Sequence, residues 1–391
     1  MKKVILLISL IIICSGCFNY NELNNYAIAT GMAIDINNNE YEVSVLISNS
    51  PKSSNQASGK NYTTVVYSGK GKTIYEAIKQ IGLISPKELY IGHLSVLILS
   101  EDVAKEGINP SIEFLLQEPR SKKNFYVAIS KDSKAKDVLS VTSPLTDFPS
   151  QNLATNLKTT TSLQGSVNAT DFNTTLYKLV NIGIDLSLNG FSIVGDTKNG
   201  VKNSNIETNV PKAYIKLSPL AIFKDDKLVS WTTKNESRGI NIINDKIKEI
   251  YLRLDCDQGD IVVDTEDLET KKAIDKNGNI TLKTSGKASI SEISCDIDLT
   301  KQSNINKLEK KIENKIIELE NSAIKLSKRY STDIFGIGLM YYQDYPDKYS
   351  KIKDYDKFYN NIKFKTKVDI KLNTLGSIKQ TLERIENEED Y

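Results

Sequence analysis

The first half of the chain contains the run Tyr90-Ile91-Gly92-His93-Leu94-Ser95-Val96-Leu97-Ile98-Leu99. This run is almost wholly apolar and is bounded by polar residues, which predicts a largely buried strand. Ser100 follows it and can cap a short helix whose first turn carries Glu101 and Asp102. A strand that leads directly into a capped helix is typical of a sheet layer covered by helices.

Strand and helix patterns alternate on both sides of this run. Upstream, Thr73-Ile74-Tyr75-Glu76 forms a capping box, and apolar residues then recur at helical spacing. Downstream, Pro110 marks the first turn of another helix. From residue 142 to residue 168 the pattern dissolves into Ser, Thr, Asn and Gln. The predicted strands are 41–47 and 125–129, and the predicted helices are 74–81, 110–116, 135–141 and 172–180.

The second half is richer in strands and contains the longest periodic pattern. Apolar residues at spacings of three and four predict a helix over 303–330, about 40 Å long, with Ser303 as its N-cap. Its stripe fits a helix laid across its own sheet, which we favour, or a coiled-coil partner. We therefore predict the α+β class, with several mixed β-sheet modules each packed with α-helices. The predicted strands are 214–223 and 228–232, which form a hairpin, 261–263, 280–293 and 362–372.

The last predicted strand has one apolar face and one charged face. Ile362, Phe364, Val368, Ile370 and Leu372 alternate with Lys363, Lys365, Lys367, Asp369 and Lys371. The lysine face fits a solvated sheet surface that resists edge aggregation. On a membrane protein it could also contact anionic headgroups.

The N-terminus predicts a secretory signal. Lys2 and Lys3 precede ten apolar or small residues, Val4 to Ile13, and Cys14-Ser15-Gly16-Cys17 follows. Ten residues cannot span a bilayer core of ~30 Å. The small pair before Cys17 resembles the bacterial lipobox, in which that cysteine is diacylated and becomes the new N-terminus. An ordinary secretory signal that ends near a cysteine is the alternative.

These patterns together predict the domain organisation of a chain of 391 residues. Residues 1–16 are a lipoprotein signal peptide, and 17–195 form an N-terminal α/β domain. Residues 196–209 are a linker rich in turn formers. Residues 210–391 form a C-terminal α+β domain that can subdivide.

Charge excludes one class of partner. The chain has 51 basic and 49 acidic residues, and two of the lysines lie in the predicted signal. This balance gives no electrostatic footprint for nucleic acid.

Cysteine use leaves two interpretations open. Once Cys14 is removed with the signal and Cys17 is acylated, only Cys256 and Cys295 remain. As a disulfide, the pair would stabilise the fold by about 4 kcal/mol in the chain-entropy model. As free thiols, they would act as small buried hydrophobes.

The sequence offers little for catalysis, metal or cofactor binding. His93 is the only histidine, and its place in an apolar run predicts a structural or buried side chain in preference to a general base. Asp255, Asp257 and Asp260 lack the spacing of a calcium loop and are interpreted as turn residues. We predict no catalytic residue, no metal site and no cofactor.

Several segments resemble the Ger(x)C family, the C-component lipoproteins of spore nutrient germinant receptors. The opening Cys17-Phe18-Asn19-Tyr20-Asn21-Glu22-Leu23 resembles the family's start, with Phe18 and Asn19 where Trp-Asp is usual. The second half resembles the family around 221–229, with Pro219 in place of a usual Gly, and around 333–338. The positions that match family motifs are Glu22, Leu23, Gly31, Asp35, Gly92, His93, Leu94, Phe223, Asp333, Gly336 and Gly338.

The resemblance implies a non-enzymatic receptor subunit. Such a protein is anchored through the N-terminal diacylglycerol on Cys17, on the extracytoplasmic face of the spore inner membrane. Its partners are an A-type membrane subunit and a transporter-like B-type subunit. Its implied role is in receptor assembly or in the signalling that starts germination.

Two other classes make distinct predictions. A solute-binding lipoprotein that serves a transporter would have a cleft between two domains and saturable ligand binding. An envelope enzyme acting on wall polymers would have paired carboxylates about 5 to 9 Å apart in a cleft.

Overall fold

Two β-sheets organise the protein. The computed structural model describes residues 25–48, 64–146, 148–257, 259–295 and 297–374. The first sheet has the strand order β3-β2-β1-β5-β6-β7-β8-β9, with the short β4 also paired to β1. The second has the order β10-β11-β12-β13. Helices pack on both sheets, which confirms the predicted α+β class.

The strands of the first sheet are β1 (Tyr26–Asn37), β2 (Glu40–Ser48), β3 (Thr64–Gly71), β4 (Glu88–Tyr90), β5 (Val96–Ser100), β6 (Tyr126–Ser130), β7 (Ser187–Gly195), β8 (Ala213–Lys224) and β9 (Lys227–Trp231). Those of the second sheet are β10 (Tyr251–Cys256), β11 (Gly259–Ile274), β12 (Ile280–Ile293) and β13 (Phe364–Thr374).

The described helices are α1 (Ile74–Ile84), α2 (Glu101–Glu106), α3 (Asn109–Gln117), α4 (Ala135–Ser140), α5 (Pro149–Gln164), α6 (Phe172–Val180), α7 (Thr197–Gly200), α8 (Lys234–Ile243), α9 (Gln302–Arg329), α10 (Ile337–Asp344), α11 (Pro346–Tyr349) and α12 (Tyr355–Asn361). A short 3₁₀ turn covers Asn203–Asn205.

The first sheet is parallel at its centre and antiparallel outside. Strands β1, β5, β6 and β7 pair in parallel, and their neighbours β2 and β8 pair antiparallel to them. Helices α1, α2, α3 and α6 pack on one face, whereas α4 and α5 pack on the other. All five residues of β5 are buried because helices cover both faces of a parallel strand.

The prediction of one buried strand over 90–99 is wrong. The chain forms β4 and β5 instead, and residues 91–95 turn between them. Both strands pair with β1 in parallel, Tyr90 opposite Ile28 and Val96 opposite Gly31. The turn moves the chain from one part of β1 to the next, and it places His93 at the surface.

Several helices have no counterpart in the sequence analysis: α5, α7, α8, α10, α11 and α12. Helix α5 occupies 149–164, within the polar segment where the pattern dissolves. Pro149 lies in its first turn, and Leu153 and Leu157, one helical turn apart, are buried against the first sheet. Two leucines in a background of Thr, Asn and Ser are too weak a pattern to separate from a loop.

Helix α9 packs across the second sheet. Leu308, Ile312, Ile316 and Leu319 enter the same core as the apolar face of that sheet. This contact confirms packing on its own sheet as the role of the stripe. The predicted N-cap is wrong by two positions, because the helix begins at Gln302 and Lys301 holds the cap position without a side-chain bond.

The first sheet runs across the predicted linker at 196–209. Strand β8 pairs with β7 from Ser187 to Gly195, and β9 extends the same sheet. The hairpin at 213–231, which the sequence analysis places in the C-terminal domain, therefore completes the first sheet. The division of the chain into domains at 196–209 stays a prediction.

Candidate functional site

The two halves of the chain meet in a junction built from the loop before β7 and the loop after α9. The Asp185 N–H donates to the Asp333 carbonyl at 2.8 Å, and the Asp333 N–H donates to Asp185 Oδ2 at 2.6 Å. Beneath it, side chains from β8, α8, β12 and α9 share one buried core. The junction (Gly183, Asp185, Asp333, Gly338 and Tyr355) therefore joins the first sheet to the second.

Asp333 organises the C-terminal side of the junction. Its carboxylate is buried and accepts the Ile337 N–H at 3.0 Å and the Gly338 N–H at 2.7 Å. These amides belong to the first turn of α10, where a carboxylate satisfies free donors and complements the helix dipole. The Tyr355 hydroxyl donates to Asp333 Oδ2 at 2.5 Å. One side chain thus fixes the start of α10 and the start of α12.

Two glycines allow the loops to approach. A Cβ at Gly338 would lie 2.1 Å from Tyr355 Oη and 2.7 Å from the Gly183 Cα. Gly183 has a φ of +69°, and its carbonyl accepts the Leu339 N–H at 2.9 Å. Any side chain at Gly338 would force the two loops apart.

Burial and charge set the ionisation of the junction. Burial raises the pKa of Asp333 to about 6, although the Gly338, Tyr355 and Ile337 donors oppose the rise. Burial also raises the pKa of Asp185, against the effect of Lys224. Burial, with Lys246 and Lys272 nearby, lowers the pKa of Lys178 to about 8. These acids and lysines lie close enough for their charges and their burial to shift one another's pKa values.

Lys224 links the hairpin of the first sheet to the C-terminal helices. Its Nζ donates to the Ser331 carbonyl at 2.8 Å and to Asp356 Oδ1 at 2.7 Å, and lies 3.9 Å from Asp185 Oδ2. Burial alone would lower its pKa, but bonding to Asp356 and the charge of Asp185 raise it. The amine therefore stays charged and holds three segments together.

A cavity of about 470 Å³ opens beside the junction. Its wall includes Lys178, Asp185, Lys224, Tyr355 and Asp356. The lining carries both signs of charge and lies between the two halves of the chain. It is a concave polar site whose shape depends on the junction.

In the first sheet, two motif positions hold α4 against β1. The Asp35 carboxylate accepts the Ala135 N–H at 2.8 Å and the Lys136 N–H at 3.0 Å, which caps α4. A Cβ at Gly31 would lie 2.6 Å from Leu139 Cδ1. Phe223 is fully buried in the core of the same sheet.

The 92–94 motif lies at the surface end of the first sheet. Leu94 is buried, and a Cβ at Gly92 would lie 2.6 Å from the Arg120 carbonyl oxygen. The prediction of a buried His93 is wrong, since its side chain is exposed and its ring lies 5.7 Å from that of Tyr90. The apolar neighbours are buried because the turn alternates its side chains, and His93 takes the outward position.

Of the remaining predicted sites, one pair lies within the described residues and the others lie outside them. Cys256 ends β10 and Cys295 follows β12, with Cα atoms 6.4 Å apart, a separation that a disulfide accommodates. Cys17, Glu22 and Leu23 lie outside the described residues, as does the signal peptide.

Asp185, Tyr355, Lys178 and Lys224 were not predicted as site residues. Asp185 and Asp333 are 148 positions apart, so no local pattern links them. The only local signal was the spacing of Gly183 and Asp185 just before an apolar strand, which is common in loops.

The described part of the chain has neither a metal-binding cluster nor a membrane-spanning helix. No group of three or more His, Cys, Asp or Glu side chains there is placed to hold a metal ion. No helix in the same residues is long and apolar enough to cross a membrane.

Comparison with known proteins gives a consistent result. Residues 19–193 match the family model of the spore germination protein N-terminal domain, and residues 218–376 match the spore germination B3/GerAC-like C-terminal model. The chain is 26% identical to spore germination protein KC of Bacillus subtilis (strain 168) over 91% of this chain and 90% of that protein. It is 23% identical to spore germination protein B3 of the same strain, over 96% and 98% of the two chains.

A solved structure shares the fold. The crystal structure of the GerBC protein matches with a TM-score of 0.50 and 17% identity, over 91% of this chain and all of that one. The two matched domains follow each other in the order that the family prescribes. The chain therefore belongs to the Ger(x)C family of spore germination proteins, which confirms the resemblance seen in its motifs.

Proposed function

We propose that this chain is the lipid-anchored C subunit of a nutrient germinant receptor. The observation that carries the proposal is the match of both halves to spore germination domains, each in its expected place. In this role the chain catalyses no reaction. It lies on the extracytoplasmic face of the spore inner membrane and contacts A-type and B-type membrane subunits.

The junction supports a role in signal transfer between subunits. It joins the two halves through a backbone bond from Asp185 to Asp333, a bond from the Asp333 N–H to the Asp185 carboxylate, and a buried acid, so a displacement of one half would move the other. A subunit that receives a contact on one half can pass it to a partner on the other. The motif positions Asp333, Gly336 and Gly338 would serve this coupling by shaping the junction.

The anchor is Cys17 in this proposal. Two acyl chains, at roughly 0.8 kcal/mol per buried methylene, hold a globular protein stably on a membrane. The test compares the membrane fraction of native protein with that of Cys17→Ala, each expressed without the A-type and B-type subunits. The native protein should be membrane-bound and the variant soluble. A variant that stays fully in the membrane fraction would remove Cys17 as the anchor.

Receptor assembly has its own experiment. A tagged copy of this chain, purified from detergent-solubilised spore membranes, should retain the A-type and B-type subunits. A matched lipoprotein of the same membrane, carrying the same tag, is the control. Equal recovery of those subunits with both proteins would contradict the proposed assembly.

Cys256 and Cys295 form a disulfide in our proposal, because their Cα separation suits one and the compartment permits it. Peptide mass spectrometry after alkylation without reductant should show the two cysteines linked. Recovery of both as alkylated thiols would favour the alternative of two free, packed cysteines.

A solute-binding lipoprotein is the second candidate. The cavity between the two halves of the chain is the observation that favours it. Calorimetric titration of the protein with amino acids and sugars tests this function. Saturable binding without any germination defect on gene deletion would support it over the receptor role.

A further inference from the structure

The second sheet leaves one face without a helix. Helix α9 covers the face that carries Val368 and Ile370, and the other face is exposed. On that exposed face, Lys283 of β12 stands directly opposite Lys367 of β13 and Lys271 of β11. Lys365 lies two residues before Lys367 on the same face, opposite Thr281. Three lysines therefore form a row across three strands.

Such a row has no structural explanation. Like charges directly opposite each other destabilise a sheet. Lys271 has Glu269 as a partner at 3.4 Å. Among the described residues, no ion pair is recorded for Lys283, Lys365 or Lys367. Glu269 and Asp369 flank the row on the same face, each opposite Ser285, and they pair with Lys271 and Lys371. Within the described chain, Lys283, Lys365 and Lys367 remain as unpaired positive charges at the end of the sheet where β12 and β13 begin.

A second group of lysines adjoins this end. A cavity of about 550 Å³ is lined by Lys351, Lys353 and Lys357, together with Asn277 of the β11–β12 turn and Ile362 just before β13. Asp354 is the one carboxylate in its lining, and its Oδ1 accepts the Lys357 N–H at 3.0 Å. The Asp275 carboxylate nearby is bonded within its own turn. We call Lys283, Lys351, Lys353, Lys357, Lys365 and Lys367 together the basic end.

A series of contacts links the basic end to the edge where the first sheet starts. Strand β1 begins at Tyr26, and the parallel pairing through β5 and β6 puts the start of β7 at the same edge. The junction attaches this edge to α10–α12, and the turn at 275–279 contacts those helices through Tyr341 and Lys348. Tyr26 lies nine positions after Cys17, a stretch of chain that spans at most roughly 30 Å. A lipid on Cys17 would hold this edge of the first sheet close to the bilayer.

We propose that the basic end binds the anionic headgroups of a phospholipid membrane. The inference rests on the proposed membrane location, and it adds a second, electrostatic contact that orients the protein. Lysine amines on flexible stems suit diffuse attraction to a charged surface. The exposed lysine row has no interleaved aromatic side chains, so it lacks the stacking platforms of a single-stranded nucleic acid site. A lipid surface also matches the flat shape of an open sheet face.

The test uses a chain that starts at Phe18, which retains every described residue and carries no lipid. It is sedimented with vesicles of phosphatidylcholine alone or of phosphatidylglycerol mixed with phosphatidylcholine. Binding should require phosphatidylglycerol and should weaken as salt is raised. The triple variant Lys283→Glu, Lys365→Glu, Lys367→Glu should lose roughly tenfold or more in affinity.

A matched control makes the same charge change on α9, with Lys307→Glu, Lys311→Glu and Lys325→Glu, all exposed on the far side of the sheet. This variant should bind almost as well as the native chain. Equal loss in both variants, or no binding of the native chain to anionic vesicles, would overturn the proposal. Binding to acidic proteins in place of vesicles would do the same. Circular dichroism verifies that each variant is folded, and the Cys17→Ala fractionation tests the lipid anchor independently.

Discussion

At the scale of single residues, the junction depends on what Gly338 lacks. Its missing side chain lets Tyr355 reach Asp333 and lets Gly183 pack against the backbone of α10. Asp333 can then bond two helix amides and a hydroxyl at once. A buried acid with a raised pKa is thereby held in one position by donors at the starts of two helices.

Gly338→Ala should therefore destabilise the protein. The new Cβ would lie 2.1 Å from the Tyr355 hydroxyl oxygen, so the loops must separate, at a cost of roughly 2 kcal/mol or more. The matched control is Gly82→Ala in α1, where an added Cβ meets no atom within 4 Å. That change should raise stability by about 0.5 to 1 kcal/mol. Denaturant unfolding measures both, and equal effects of the two substitutions would refute the role of Gly338.

Glu320 should make the stability depend on pH. This side chain is fully buried between α9 and the second sheet, and its Oε1 accepts the Thr284 hydroxyl at 2.6 Å. Burial raises its pKa to about 7, against the effect of the Thr284 bond. The folded protein thus holds a proton that the unfolded chain releases near pH 4.5. The stabilisation, about 3 kcal/mol, is complete below that pH and is lost as the pH rises to about 7.

Glu320→Gln should remove this dependence. The variant should be more stable than the native protein at about pH 8 and should change less between about pH 5 and 8. Unfolding in denaturant across that range gives the comparison, with the exposed Glu318→Gln on the same helix as control. Asp333 titrates in the same window, so only the difference between native and variant reports on Glu320. Parallel curves for the two would show that Glu320 is not the group involved.

Single residues also show what the sequence could and could not predict. The lone histidine lies in a predicted family motif, and its burial was wrongly predicted because an apolar run does not reveal a turn within it. The carboxylate of Asp333 was found through the motif, whereas its contacts with Asp185 and Tyr355 arise only from folding. A motif can show that a residue matters, but the sequence does not show which distant residues it contacts.

At the scale of elements, α9 covers both a face and an edge of the second sheet. Strand β13 is the last in the sheet order, so one side of it has no neighbouring strand. The Leu372 N–H donates to Glu309 Oε1 of α9 at 3.0 Å, and Glu313 approaches the Ile370 N–H. An edge whose donors are bonded to a helix is protected from pairing with another chain.

Glu309→Ala should expose this edge. The Leu372 amide loses its acceptor, so its hydrogen exchange should become faster and the variant should aggregate more readily on heating. Glu318→Ala on the same helix, whose carboxylate bonds to Lys315, is the control. Unchanged protection of Leu372 in Glu309→Ala would mean that the carboxylate does not cover the edge.

Elements with a strong period were predictable and weakly patterned ones were not. Helix α9 was placed to within one residue at each end because eight apolar positions repeat along it. Helix α5 was missed because it has few apolar positions, and it forms through burial against the first sheet. Tertiary contact overrides local pattern in such cases.

At the scale of the whole molecule, the two sheets are joined by the junction and by a shared core. The hairpin of β8 and β9 belongs to the first sheet, yet Leu220 and Ile222 of β8 pack with Ile280 and Leu282 of the second sheet. The sequence pattern could not show which sheet the hairpin joins, because strand pairing across a turn-rich segment has no local signature. The two halves therefore share one buried core.

The most direct test of the central claim is nutrient-triggered loss of refractility in spores that lack this gene. A panel of amino acids and sugars is applied beside a trigger that bypasses receptors. We predict a defect confined to certain nutrients, with a normal response to the bypassing trigger. The account would be contradicted if the spores failed to germinate under both triggers. Normal germination in response to every nutrient, in a strain whose other germinant receptors of this family are also deleted, would contradict it too.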